Sequence, residues 1–204
     1  VNALWLRRAA PAQGPVGGNS PPQRRKGADI DAARTLLIDD LSRPGGETAR
    51  GARWALVSDT VMGGVSTGSL TREMVEGRTA LRLRGTVRLE NNGGFLQMAT
   101  DLAPDGGVLD ARGWDGLRVT LWGNGAGYGL HLRTPDLARP WQSYRAQVAS
   151  APRWQVFDLP FSVFTPHRTE VALNPARLRR IGIVAIGAAF EADVALADLR
   201  LYRG

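Results

Sequence analysis

Two histidines, no cysteine and a scatter of carboxylates limit the chemistry open to this 204-residue chain. Without thiols there is no thiolate nucleophile, no disulfide framework and no cysteine zinc site. His131 and His167 are too few for a histidine-rich metal centre. No serine–histidine–acid triad can be drawn from the spacing. His131 alternates with Leu130 and Leu132, so it reads as an exposed or groove-lining residue of a strand. His167 follows Phe164-Thr165-Pro166 and reads as a surface residue of a loop. Glycoside hydrolysis needs two carboxylates facing one cleft, roughly 5–9 Å apart. Asp59 and Glu90 are the only attractive pair, and nothing in the sequence makes them face each other. Asp39, Asp40 and Asp198 fall in the expected first and last strands, where they would be candidate calcium ligands; plain edge-strand acids are the simpler reading. The expectation is therefore a chain with no catalytic residue, no metal ligand set and no cofactor.

Binding fits the residue types better. Carbohydrate recognition uses aromatic side chains as flat platforms with polar groups beside them. Trp122, Tyr128, Trp141 and Tyr144 are candidates, while Trp54 and Trp154 read as core. Two glycine-rich segments stand out: Trp54-Ala55-Leu56-Val57-Ser58-Asp59-Thr60-Val61-Met62-Gly63-Gly64-Val65-Ser66-Thr67-Gly68, and Glu90-Asn91-Asn92-Gly93-Gly94-Phe95. Neither has the Gly-x-x-x-x-Gly-Lys-Ser/Thr pattern of a phosphate loop. Their glycine pairs predict tight turns or close backbone contact. Asp59, Ser66, Glu90, Asn91 and Asn92 are placed to bond loop amides. A polar ligand pocket beside these turns is compatible with that structural role.

The elements that must position these residues are strands. From Ala80 to Glu90, Leu81, Leu83, Val87 and Leu89 share one face and Arg82, Arg84, Arg88 and Glu90 the other. Gly85 interrupts this run and predicts a bulge or bend. Similar alternation runs through 117–122 and 128–133. Further strands are expected at 36–40, 53–58, 68–74, 94–100, 142–149, 153–159, 181–188 and 194–202, separated by turn signals such as Gly123-Asn124-Gly125. Only Asn174-Pro175 followed by 176–180 reads as a helix start. Leu159-Pro160-Phe161 and Val163-Phe164 read as a crossing loop packed on the body. Roughly ten strands with almost no helix predict an all-β, two-sheet antiparallel sandwich.

The spelling of these segments resembles a known family. Val57-Ser58-Asp59-Thr60-Val61-Met62-Gly63-Gly64-Val65-Ser66 is similar to the signature of the complex I intermediate-associated protein 30 (CIA30) family. Glu90–Phe95, Gly123-Asn124-Gly125-x-x-Tyr128 and Trp154…Leu159-Pro160-Phe161-x-x-Phe164 resemble its later segments. The order holds from about Ile38 to Tyr202. Thr60 and Asn124 depart from the usual glycine and aspartate, although Asn124 still suits the turn. The resemblance implies a galactose-binding-like jelly roll, similar to some carbohydrate-binding modules. Mitochondrial members of that family help assemble respiratory complex I and are not known as enzymes.

Charge separates the two parts of the chain. The formal net charge is +7, but residues 1–30 carry Arg7, Arg8, Arg24, Arg25 and Lys26 against Asp29 alone. Residues 1–34 read as a basic, Pro/Gly-rich disordered segment, and 35–204 as the sandwich domain. A basic tail is no reason to expect nucleic-acid binding by the folded part. The opening apolar run stops at Arg7-Arg8, too soon for a leader's core, and the run 181–190 is too short to span a bilayer. A cytoplasmic chain is expected. The expected function is a binding or assembly factor with a protein partner, respiratory-complex subunits or assembly proteins among the candidates; the alternative is a module that binds a glycan or small polar ligand. The candidate contact residues are Asp59, Met62, Gly63, Gly64, Ser66, Glu90, Asn91, Asn92, Gly93, Gly94, Phe95, Trp122, Asn124, Tyr128 and Trp141.

Overall fold

The structure, a computed structural model, describes residues 34–204. The segment expected to be disordered lies, apart from Arg34, outside the described residues. The described chain is all-β, with short 3₁₀ turns between strands.

Two antiparallel six-stranded sheets form the body. The first contains β3 (Thr67–Val75), β4 (Arg78–Val87), β12 (Phe190–Tyr202), β6 (Gly116–Gly123) and β9 (Gln155–Pro160), in that order. Its sixth strand, β1 (Thr35–Asp39), pairs with the C-terminal half of β12. The second sheet runs β10 (Thr165–His167), β8 (Ser143–Ala149), β7 (Gly127–Arg133), β11 (Arg180–Ile186), β5 (Phe95–Asp101), β2 (Ala55–Ser58).

Alternation decides which face of each strand is dry. Leu117, Val119 and Leu121 of β6, Leu130 and Leu132 of β7, Leu96 and Met98 of β5, and Ile181 and Ile183 of β11 are all fully buried in one core. In β12 the register against β6 shifts between Leu196 and Asp198. The bulge lets Val194 and Leu196 before it, and Leu199 and Leu201 after it, face the same core. Gly85, by contrast, carries no bulge: it pairs with Gly68 and Ala192 in unbroken register. Its role is close approach. A Cβ there would lie 2.2 Å from the Thr67 carbonyl oxygen and 2.7 Å from Leu96 of the opposite sheet. The Gly68–Gly85 pair thus makes room for Leu96, which seats β5 against the first sheet.

The expected helix after Asn174 is one 3₁₀ turn, Pro175–Arg177, capped by Asn174 Oδ1 accepting from the Ala176 amide at 3.0 Å. Where the sequence suggests a loop around His167, the structure has a three-residue edge strand, β10, which Pro166 conceals. Gly85→Ala should lower stability by about 1–3 kcal/mol through this backbone collision. The denaturant midpoint, measured with an unchanged slope, checks this.

Candidate functional site

The two glycine-rich segments meet at one carboxylate. Asp59 is fully buried at the start of a 3₁₀ turn spanning Asp59–Met62. Its Oδ1 accepts from the Ser66 amide at 3.0 Å. Its Oδ2 accepts from Ser66 Oγ at 2.5 Å, the Gly94 amide at 2.5 Å and the Phe95 amide at 3.3 Å. Ser66 Oγ also accepts from the Arg88 amide at 3.0 Å. Burial pushes the Asp59 carboxyl up, but these bonds from Ser66, Gly94 and Phe95 outweigh it and hold the pKa below the ordinary value. One glycine of each pair is explained here: a Cβ would sit 2.3 Å from Asp59 Cγ at Gly64 and 2.5 Å from Asp59 Oδ2 at Gly93, while Gly63 and Gly94 take left-handed backbone at φ of 86° and 119°. Asn91, at a left-handed φ of 59°, donates from Nδ2 to the Gly63 carbonyl at 3.2 Å and adds a second tie. Asp59, Gly64 and Ser66 are thus interior fixings and offer no surface to a partner. Asp59 and exposed Glu90 do not share a cleft.

What this junction holds in place is one wall of a groove of about 920 Å³ on the outer face of the second sheet. Val61, Met62, Leu89, Gly93, Gly94 and Phe95 line that wall. The first three are exposed. The opposite wall is the loop before β8. Arg133 spans it by donating to the carbonyls of Arg139, Pro140 and Gln142. Gln142 in turn accepts from the Arg139 amide and donates to the Arg168 carbonyl, both at 2.9 Å. The loop so fixed presents Trp141, which is 50% exposed.

The floor is read from cross-strand register. Thr165, Arg145, His131, Gly182, Ala99 and Ala55 form one row across β10, β8, β7, β11, β5 and β2. Gln147, Gly129, Val184, Gln97 and Val57 form the neighbouring row. The glycines let two polar side chains lie flat. A Cβ on Gly182 would strike Gln97 Nε2 at 1.8 Å, and one on Gly129 would strike His131 Nε2 at 2.8 Å. Burial, with Arg145 and His167 adding repulsion, pulls the His131 pKa down to about 3. At neutral pH its imidazole is one donor and one acceptor without charge.

The expected aromatic platforms separate. Trp141 is in the groove, but Trp122 lies on the outer face of the first sheet, where the Arg82 guanidinium stacks 5.0 Å from its ring. Tyr144 is fully buried, its hydroxyl donating to the Ala172 carbonyl at 3.2 Å. Tyr128 is buried as well. Its hydroxyl bonds Asn124 Oδ1 at 2.7 Å and the backbone of Asp193, and burial raises its pKa to about 12. Asn124 Nδ2 also reaches the Glu191 carbonyl at 2.7 Å. Asn124 and Tyr128 therefore fix a turn, and do so without the aspartate. Trp154 is part of a small cluster with Trp122, Val75, Ala80 and Ala195 on the first sheet's outer face, apart from the main core. Trp54 packs partly buried on the main core and donates to Asp39 Oδ2 at 2.8 Å. The calcium candidates do not converge. Asp39 holds Trp54 and the Leu41 amide, Asp40 holds Ser42, and Asp198 pairs with Arg200 at 2.9 Å. Among the described residues no group of three or more acids or histidines is placed to hold a metal. Nor is any helix long and apolar enough to cross a membrane.

Gln97, Arg133, Arg145 and Arg168 are groove residues that sequence reasoning missed. Alternation marks Arg133 as facing away from Leu130 and Leu132, but gives no face for Gln97 or Arg145 and does not say which strands lie side by side.

Comparison with known proteins gives the following. The family profile described as complex I intermediate-associated protein 30 (CIA30) matches residues 46–197. No curated protein matches the chain. Among solved structures, the family 11 carbohydrate-binding module from Clostridium thermocellum, in complex with a β-1,3-1,4-mixed-linked tetrasaccharide, superposes with a TM-score of 0.63 at 12% identity, covering 83% of this chain and 95% of that one. A family 30 carbohydrate-binding module gives 0.53 at 14% identity, covering 72% and 80%. An agarase gives 0.57 at 8% identity, covering 84% of this chain and 25% of the agarase. These likenesses show the fold, a two-sheet jelly-roll sandwich.

The Asp59 junction makes a stability prediction. An aspartate whose folded pKa lies below its unfolded one contributes stability that is fully present above about pH 4 and is lost as pH falls through the folded value. Asp59→Asn leaves the Ser66, Gly94 and Phe95 donors facing an amide, and should cost on the order of 3 kcal/mol at neutral pH. Its denaturation midpoint should also fall less than the parent's between about pH 6 and about pH 3. Chemical denaturation of both proteins at the two pH values checks this.

Proposed function

We propose, from the premise that this chain belongs to the complex I intermediate-associated protein 30 family, that it is a non-catalytic binding module whose ligand is an oligosaccharide held in the groove of the second sheet. The observation that carries this reading is the groove's floor. Gln97 and His131 lie flat across glycines, without hydrogen-bond partners among the described residues, and Trp141 stands exposed beside them. Sugars are recognised by such a combination: uncharged donors and acceptors for hydroxyls and an aromatic face for the apolar side of a ring. The likeness to carbohydrate-binding modules, one of them solved with a tetrasaccharide, supports the same reading. A non-catalytic reading is supported by the lining: no carboxylate is in it, and burial and nearby arginines push both of its histidines, His131 and His167, toward the neutral form.

A second reading is favoured by the groove's apolar wall. Val61, Met62 and Leu89 are 72%, 59% and 51% exposed and adjoin one another on the family's signature turns. An exposed apolar patch of this kind suits a protein partner. The family's name supports an assembly role through that surface.

The oligosaccharide reading predicts that Trp141→Ala weakens binding at least tenfold with an unchanged melting temperature. Trp122→Ala should lower the melting temperature and leave affinity alone. Titration of the protein with a panel of neutral and acidic tetrasaccharides, followed by calorimetry, checks both. Binding that survives Trp141→Ala, or no binding by any member of the panel, would overturn this reading in favour of the second.

A further inference from the structure

The groove is unlike its surroundings in charge. Five arginines line it, Arg133, Arg145, Arg168, Arg179 and Arg180, and no aspartate or glutamate does. Arg133 is occupied by the carbonyls of the Trp141 loop. Arg180 has only a loose contact with Asp101, at 3.8 Å. Arg145, Arg168 and Arg179 have no carboxylate partner among the described residues. This contrasts with the first sheet, where Arg82 is paired to Asp193 and Glu73, and Arg118 to Asp158. The unpaired cations crowd one another. Burial and the neighbouring Arg168 both act against the charge of Arg145. Burial, with Arg179 and Arg180, acts against that of Arg133. Such a groove gains most from a ligand that brings negative charge of its own.

Cationic groups border the uncharged floor on two sides. Arg145 stands in the row of His131, and Arg180 pairs with Arg133 two residues further along β7 on the same face. Successive rows on one face lie roughly 7 Å apart, from the rise per residue of a strand. An extended chain running along the strands therefore passes from the neutral row of Gln97, through the row of His131 and Arg145, to the positive row of Arg133 and Arg180.

We propose that the groove selects an acidic oligosaccharide, one carrying carboxylates on its sugar rings, over a neutral one of the same length. The proposal rests on the oligosaccharide reading above and adds the ligand's charge. A single-stranded nucleic acid is the other polyanion to weigh, but its bases need a series of stacking faces. Trp141 is the only aromatic among the exposed large hydrophobic side chains described. Guanidinium groups match sugar carboxylates through paired N–H donors, while Gln97 and His131 serve the ring hydroxyls.

Calorimetric titration with tetragalacturonate and with its fully methyl-esterified form, at low and high salt, tests this. The acid should bind at least tenfold more tightly than the ester, with the advantage shrinking at high salt. The double variant Arg145→Gln/Arg168→Gln should lose most of that advantage at an unchanged melting temperature. Should that variant fold poorly, Arg168→Gln/Arg179→Gln, two exposed and unpaired positions, should show a partial loss. Equal binding of acid and ester overturns the charge selection and leaves the oligosaccharide reading standing. An acid preference that persists in a folded double variant also overturns the charge selection. Failure of both forms to bind overturns both readings, as does tighter binding of an octathymidylate than of the acid.

Discussion

The buried carboxylate of Asp59 is the constraint on which the proposed binding face depends. It accepts from one hydroxyl and three backbone amides, and two of those amides come from a segment more than thirty residues away. A charged acceptor out of water must be fully bonded to remain. The chain around it is consequently short of side chains: Gly64 and Gly93 have none because there is no space for a Cβ. The family's most recognisable spelling thus records how one charge is satisfied. Under the proposed function, recognition is left to the residues this junction displays, Val61, Met62 and Leu89 on the rim and Phe95 at the edge of the floor.

The opposite wall uses the inverse chemistry. There a cation, Arg133, donates to three carbonyls and fixes the loop that bears Trp141. One wall is built by an anion gathering amides, the other by a cation gathering carbonyls. Both loops are tied down by bonds within the protein itself, which lessens the ordering entropy that binding must bear. Between them the sheet supplies a flat floor, since Gly129 and Gly182 leave room for His131 and Gln97 to lie along it. Desolvation keeps His131 uncharged, so the positive field of the groove comes from arginines that stay ionised at any physiological pH.

Much of the fold was legible because a sandwich writes itself as alternation. The dry faces of β4, β6 and β7 could be read directly from leucines and valines two residues apart, and the turn at Gly123-Asn124-Gly125 from its residue types. Gly85 was misread because a glycine inside a strand has the same spelling whether it bulges or yields to a neighbour; only the packing of Leu96 distinguishes them. The loop residues were legible as a cluster but not by role. Asp59 looks like a contact residue in one dimension and is an interior fixing in three. The pairing of Trp122 with Trp141 as platforms failed because strand alternation does not say which sheet a strand joins. The groove itself was illegible for the same reason. Its floor draws on β2, β5, β7, β8, β10 and β11, segments far apart in sequence whose outward residues meet only through register.

The central claim is that ligand is held on the outer face of the second sheet. An amide chemical-shift titration of isotope-labelled protein with tetragalacturonate tests it most directly. The account predicts shifts that cluster on the outward positions of β5, β7, β8 and β11 and on the Trp141 indole, with the Trp122 indole unmoved. Shifts centred on Trp122 and Trp154, or confined to residues 59–66 and 89–94 without the sheet floor, would contradict it.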